Sequence, residues 1–272
     1  MLPEPNKPKP LQDVDPNLLI ITSHPKTGKT GNLLQLPNSL LIDLERSAKD
    51  FGGVYIDVKE EAVKQKLHPV IVLQNIANSI KKANTKLGGY KYDYIVIDTL
   101  SSLEDLALEF ATIRYKRSEQ GKEYKGSDIL TDLSYGAGYQ HLRVSFEKLL
   151  RPFMSLAGKT LILTCHTRLS SIRKDGVELE VKDINLIGKV KMLVAREARA
   201  IGNFYREEDG KTNWLSFENF GNELVAGTSN QRLANKKFKV SEMQEDGTIK
   251  TFWENIFLNL KTKTEQDENK EK

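Results

Sequence analysis

The apolar run LLIIT, residues 18–22, passes directly into the polar octet SHPKTGKT, Ser23 to Thr30, and then into NLLQL. A short Ile/Leu run reads as a buried strand, the Gly-containing octet as a turn, and the segment from about Lys29 onward as a helix. That junction constrains the fold more than any other feature of the chain. Three further apolar runs follow: SLLIDLE at 39–45, YDYIVIDTL at 92–100 and KTLILTCHT at 159–167, each separated by helix-length amphipathic segments. Buried strands joined by crossover helices predict an α/β fold, with a mostly parallel central sheet covered by helices on both faces.

From about residue 171 the pattern changes. SIRKDGVELEVKDI and ARAIGNFYREEDGKTNWLSFE each set an Asp-Gly pair between alternating runs, the local signal of a β-hairpin. Antiparallel hairpins are therefore expected at the C-terminal edge of the sheet. TFWENIFLNL, 251–260, reads as a short amphipathic helix that seals the C-terminal end. The expected organisation is a flexible Pro- and Lys-rich arm over 1–15, one domain over 16–260, and a disordered charged tail over 261–272.

Composition narrows the class. Hydrophobic residues make up 39% and charged residues 29% of 272 residues, the balance of a globular protein. The absence of a membrane-length apolar run or an apolar leader leads to the expectation of a soluble, cytoplasmic chain without a membrane partner. A single cysteine, Cys165, makes no internal disulfide, and no Cys/His cluster has metal-ligand spacing. The net charge of +4 is too small to argue for nucleic acid by itself.

Gly28, Lys29 and Thr30 match the second half of the phosphate-loop pattern G-x-x-x-x-G-K-[ST]. The chemistry explains the residue types. Gly28 lets successive N–H groups face phosphate oxygens, Lys29 brings a cation to the β- and γ-phosphates, and the Thr30 hydroxyl suits Mg²⁺. The candidate nucleotide-contacting stretch is Ser23, His24, Pro25, Lys26, Thr27, Gly28, Lys29 and Thr30. Ser23 stands where the first glycine is usual, so a degenerate, non-hydrolysing loop and a plain polar turn are the alternatives.

Asp98 ends the strand-like YDYIVID, where carboxylates of parallel strands point into the ligand crevice. It is the candidate Mg²⁺ partner of Thr30, the alternative being a helix N-cap, a task open to Thr99 and Ser101. Alternation along SLLIDLE puts Asp43 and Glu45 on one face. Glu45 is the first candidate for orienting the attacking water and Asp43 the second, against plain surface carboxylates. His166 closes another buried strand as a candidate γ-phosphate contact, or else a structural histidine. Cys165 reads as a small buried hydrophobe.

The phosphate loop, LIDLE, YIVIDTLSSL and LILTCHT occur in the order seen in RecA-like ATPases. Over roughly residues 16 to 240 the chain resembles the RecA core, and more closely the short phage RecA-like ATPases linked to single-strand annealing, often labelled phage nucleotide-binding or AAA-domain proteins. The resemblance implies a RecA-like P-loop NTPase core, ATP and Mg²⁺ as cofactors, and catalytic roles for Lys29, Glu45 and His166, with Asp98 and Thr30 at the metal. His166 stands where RecA has a glutamine.

The resemblance also implies two DNA-binding loops. RYKRSEQGKEYKGS, 114–127, carries Arg114, Lys116 and Arg117 beside Tyr115 and Tyr124, and the segment from Thr167 to Lys191 carries Arg168, Arg173 and Lys174. Cations that track phosphates beside rings that stack on bases suit a single strand; Glu119, Glu123, Glu178 and Glu180 dilute the charge, and solvated loops are the alternative. Arg232 is the implied finger that reaches a neighbour's γ-phosphate in a ring or filament, or else a surface arginine. The function implied is ATP binding and hydrolysis coupled to single-stranded DNA in phage-type recombination or replication. A homo-oligomer and a single-strand-binding protein are the implied partners. A P-loop kinase of a small acceptor and a non-hydrolytic nucleotide-binding assembly protein remain alternatives.

Overall fold

A computed structural model describes residues 14–174, 177–218 and 227–260. Residues 1–13 of the expected arm and the whole expected tail lie outside those described. Val14 and Asp15, placed with the arm by composition, are tied to the body: the Val14 carbonyl accepts from Asn230 Nδ2 at 2.8 Å, and Asp15 Oδ1 accepts from Leu258 N–H at 2.9 Å.

The chain opens with β1 (Leu18–Ser23), α1 (Lys29–Leu34), β2 (Ser39–Asp43), β3 (Tyr55–Asp57), α2 (Val58–Gln65), α3 (Pro69–Leu87), β4 (Tyr94–Asp98) and α4 (Leu100–Lys116). It continues through α5 (Ile129–Asp132), α6 (Ala137–Leu150), β5 (Thr160–Lys174), β6 (Val177–Ile184), α7 (Gly188–Glu197) and β7 (Ala200–Arg206). Four strands finish it: β8 (Thr212–Ser216), β9 (Gly227–Thr228), β10 (Lys237–Met243) and β11 (Ile249–Thr251). The sheet order is β11-β10-β8-β7-β1-β5-β4-β2-β3, with β6 on β5 and β9 on β7. From β7 to β3 every neighbouring pair is parallel; beyond β7 the pairs are antiparallel. The predicted α/β sheet, mostly parallel with an antiparallel edge, is the one observed.

Successive residues of a strand point to opposite faces, and the core divides accordingly. Leu18, Ile20, Ile95, Ile97, Leu161 and Leu163 pack beneath α3, α4, α6 and α7, while Leu19, Ile21, Val96 and Ile162 pack against α1 and the C-terminal segment. Both faces being buried, the strands had to be continuously apolar, which is why they stood out in the sequence.

Two expectations change. The first hairpin is not at the sheet edge: β6 pairs with the far half of β5, from Thr167 to Lys174, so the ribbon extends a central strand. The segment 251–260 is not a single amphipathic helix. β11 runs to Thr251, Trp253–Asn255 forms one 3₁₀ turn, and Trp253, Ile256, Phe257 and Leu260 are buried against the second face. Trp253 Nε1 donates to the Asn32 carbonyl at 3.1 Å, clasping α1 from behind.

Candidate active site

Register brings the polar strand ends together. Ser23 lies beside His166 across β1 and β5, and Asp43 beside Asp98 across β2 and β4. All four lie at the C-terminal edge of the parallel pairing, where an α/β sheet leaves its crevice.

The octet forms a loop between β1 and α1. Lys26 and Gly28 have φ of 64° and 89°, and Gly28 caps α1 from the left-handed region that a residue without Cβ enters at no steric cost. The Thr27 hydroxyl donates to the His24 carbonyl at 3.1 Å, and Asn32 Nδ2 donates to the Gly28 carbonyl at 2.9 Å. His24, Pro25 and Lys26 are exposed. Ser23 is fully buried and its hydroxyl accepts from Lys29 Nζ at 3.2 Å. The serine at the position of the usual first glycine thus parks the lysine, which is itself 6% exposed.

Thr30 Oγ1 donates to Asp98 Oδ2 at 2.6 Å, and Ser47 Oγ donates to the same oxygen at 3.2 Å. Thr164 on β5 holds the other Asp98 oxygen. Asp98 is not the N-cap of α4: Thr99 takes that place, its hydroxyl 3.5 Å from Ser102 N–H. A hydroxyl and a carboxylate within one hydrogen bond of each other, with Ser47 beside them, are the hard oxygen donors that suit Mg²⁺, an ion that takes few protein ligands and completes its shell with phosphate and water. Among the described residues no cluster of three or more His, Cys, Asp or Glu can hold a metal without such a ligand.

Glu45 lies just past β2. Its Oε1 accepts from Thr99 Oγ1 at 2.6 Å and Ser102 Oγ at 3.2 Å, with His166 Nε2 at 3.3 Å. Burial alone would raise its pKa, but the His166 and Thr99 hydrogen bonds and the nearby His166 and Lys29 charges outweigh it and bring the carboxyl down to about 2. Glu45 is therefore a carboxylate at any neutral pH and a weak proton acceptor.

Asp43 is corrected. β2 ends there, and the carboxylate, 0% exposed, folds back onto the chain after it. Its Oδ1 accepts from Glu45 N–H at 2.8 Å and Arg46 N–H at 2.7 Å, and its Oδ2 from Ala48 N–H at 2.7 Å. Burial raises its pKa against those backbone donors. Asp43 builds the loop that carries Glu45. Cys165, expected to be an inert hydrophobe, is buried, and burial pushes its thiol up to about 11 against the opposing Ser101 hydrogen bond.

The implied DNA residues separate. Arg114 turns inward from α4, donating to Ser145 Oγ at 3.1 Å, whereas Lys116, Arg117 and Arg168 are exposed. Tyr115 and Tyr124 pack edge to face at 5.3 Å, and the Tyr124 hydroxyl donates to Asp132 at 2.5 Å, so the rings expected to stand ready for bases pack on one another. The Arg173 and Lys174 side chains lie outside those described. Arg232 is also corrected: its guanidinium donates to Asp15 Oδ1 at 3.0 Å and to the Asn255 and Ile256 carbonyls at 3.3 and 2.6 Å, pinning the C-terminal segment instead of reaching outward.

Four residues of the site were not marked by sequence reasoning. Ser47 and Thr164 flank Asp98, and Ser102 joins Glu45. The fourth, Arg206 at the end of β7, leans over the phosphate loop with Nη2 3.4 Å from the Thr27 carbonyl. Thr164 lies within a motif strand and Ser47 and Ser102 shortly after one, whereas Arg206 carries no local signal.

The model of the AAA domain family matches residues 15–237, most of the chain and all of this site. The chain belongs to the AAA domain family. Among solved structures, this AAA domain is similar to the crystal structure of the RadB recombinase at 11% identity, with 88% of this chain and 92% of that chain covered and a TM-score of 0.39. A search of curated proteins finds no match. The AAA domain is thus a nucleotide-binding P-loop ATPase module, and Ser23–Thr30, Asp98 and Glu45 are its candidate working parts.

Proposed function

We propose that this AAA domain binds Mg²⁺–ATP on Ser23–Thr30, hydrolyses it, and couples the cycle to single-stranded DNA. The observation that carries the reading is the convergence of Lys29, the Thr30–Asp98 pair and the Glu45–His166 pair on one crevice. Nucleotide draws the Lys29 ammonium from Ser23 Oγ to phosphate oxygens, and the loop amides before α1 face the same charge. Thr30 and Asp98 would hold Mg²⁺, Asp98 through water; the ion supplies neutralisation of the charge on the β- and γ-oxygens.

Hydrolysis forms a bond from a water oxygen to the γ-phosphorus and breaks the bond to the β–γ bridging oxygen, with the water proton passing to the released phosphate or to solvent. Glu45, a weak base, acts chiefly by accepting a hydrogen bond from that water and aligning it. His166 shares Glu45 Oε1 and sits on the strand that runs on into the β5–β6 ribbon, so γ-phosphate and ribbon report to one side chain.

The DNA half rests on the RecA-like resemblance and on the exposed Lys116, Arg117 and Arg168. The same resemblance supports a role in phage-type recombination or replication, with further copies of this chain and a single-strand-binding protein as partners. The test is ATP turnover with and without single-stranded DNA, alongside Lys29→Ala and Glu45→Gln. DNA-stimulated turnover lost in both variants, with nucleotide binding retained in Glu45→Gln, is the expected result. Binding without turnover in the wild type would favour an assembly role, and transfer of phosphate to a small acceptor a kinase.

A further inference from the structure

β7 lies on the side of β1 away from β5, and its last residue carries a guanidinium over the loop. Arg206 Nη2 is 3.4 Å from the Thr27 carbonyl and Nε is 3.4 Å from Asn213 Oδ1. A Cβ added to Gly28 would meet Nη2 at 3.0 Å. The side chain is exposed, and these two long bonds leave most of its five N–H donors unspent.

Two neighbouring acids are committed elsewhere. Glu207 accepts from Trp214 Nε1 at 2.8 Å, and Asp209 closes its own turn by accepting from Lys211 and Thr212. Among the described residues no carboxylate forms an ion pair with Arg206. A guanidinium held at the edge of the phosphate loop through the Thr27 carbonyl, without a counter-charge among the described residues, is arranged for an anion.

The sheet order says which part of the anion. Asp98, Glu45 and His166 belong to β4, the end of β2, and β5, all on one side of β1, while Arg206 is on the other. A triphosphate with its terminal group over Asp98 and Glu45 therefore turns its nucleoside-proximal phosphates toward β7. We infer that Arg206 is a nucleotide-binding residue, an intramolecular cation for the phosphates that stay in the product. The inference rests on the nucleotide site proposed above and adds that this chain grips ADP and ATP through one arginine of its own.

Such a contact is made equally in ground and transition states, so its loss raises KM and leaves kcat unchanged. Calorimetric titration of full-length wild type, Arg206→Gln and Arg206→Lys with Mg²⁺–ATP and Mg²⁺–ADP tests it. Arg206→Gln should weaken both nucleotides by the same factor, about tenfold for a charge-assisted bond in a half-open site. Arg206→Lys should recover part of the loss, because a point charge restores attraction without the fork.

Glutamine ends where the arginine Nε stood, so it can keep the Asn213 contact but not the Thr27 one, and Arg206→Lys, which keeps most of the reach, controls for the loop's support. A charged contact also predicts that raising salt narrows the gap between wild type and Arg206→Gln. Melting curves equal to wild type confirm that the variants fold. Loss confined to ATP, unchanged affinity for both nucleotides, or a gap insensitive to salt overturns the inference. If wild type binds neither nucleotide, the site itself is wrong; if wild type binds and Arg206→Gln binds as tightly, only the role of Arg206 is.

Discussion

Replacing Asp43 tests how the crevice is built. Its Oδ1 takes the N–H groups of Glu45 and Arg46, and its Oδ2 that of Ala48, from a position with no solvent contact. In Asp43→Asn the amide oxygen can keep the two Oδ1 bonds while the NH₂ faces the Ala48 N–H, so one buried donor is orphaned at a cost of about 1–3 kcal/mol. In Asp43→Ala all three bonds go. Ala48 is 0% exposed and bears the full penalty, whereas Glu45 and Arg46 border solvent and recover part of theirs from water. The expected total is about 3–5 kcal/mol, at the upper end of single substitutions.

Urea unfolding at neutral pH, followed by fluorescence of Trp214 and Trp253, measures both variants. ATP turnover in the folded population should drop further in Asp43→Ala than in Asp43→Asn, because Glu45 loses its anchor. An Asp43→Ala protein within about 1 kcal/mol of wild type, or an asparagine variant as damaged as the alanine one, would refute this account of the loop.

Glu45 has a folded pKa of about 2 against an ordinary 4.5. A depressed carboxylate stabilises the fold fully above its unfolded pKa and loses that contribution as pH falls through the folded value. The stability gap between wild type and Glu45→Gln should therefore shrink between about pH 5 and pH 2 in urea titrations. Trp253→Ala empties a fully buried site and removes the bond to the Asn32 carbonyl, so a loss of about 3–5 kcal/mol is expected by thermal or urea unfolding. Cys165, buried and with its thiol pushed up to about 11, should resist thiol reagents in the native protein and react fully in denaturant.

The parallel strands were legible because both faces of the sheet are buried and their sequences are nearly unbroken Ile, Leu and Val. Lys29, Thr30, Asp98, Glu45 and His166 could be read because each ends or follows such a strand. Asp43 could not be told from Glu45, since alternation assumes the strand continues, and β2 stops at Asp43. Arg206 was hidden for a topological reason: nothing local says that the strand it ends lies beside β1. Tyr115 and Tyr124, nine residues apart, revealed their types but not that they pack on each other, and Arg232 gave no sign of the carbonyls it satisfies.

β5 carries His166 in the crevice and continues without a break to Lys174. Eight residues at about 3.3 Å each make an arm of about 26 Å. Paired with β6 along that length, it forms a two-stranded ribbon whose base lies beside the phosphate loop. A tilt of about 10° at the base, smaller than the rotation between neighbouring strands, sweeps the far end by about 4–5 Å. On the function proposed above, a small shift around His166 at the ribbon's base is enlarged at its far end.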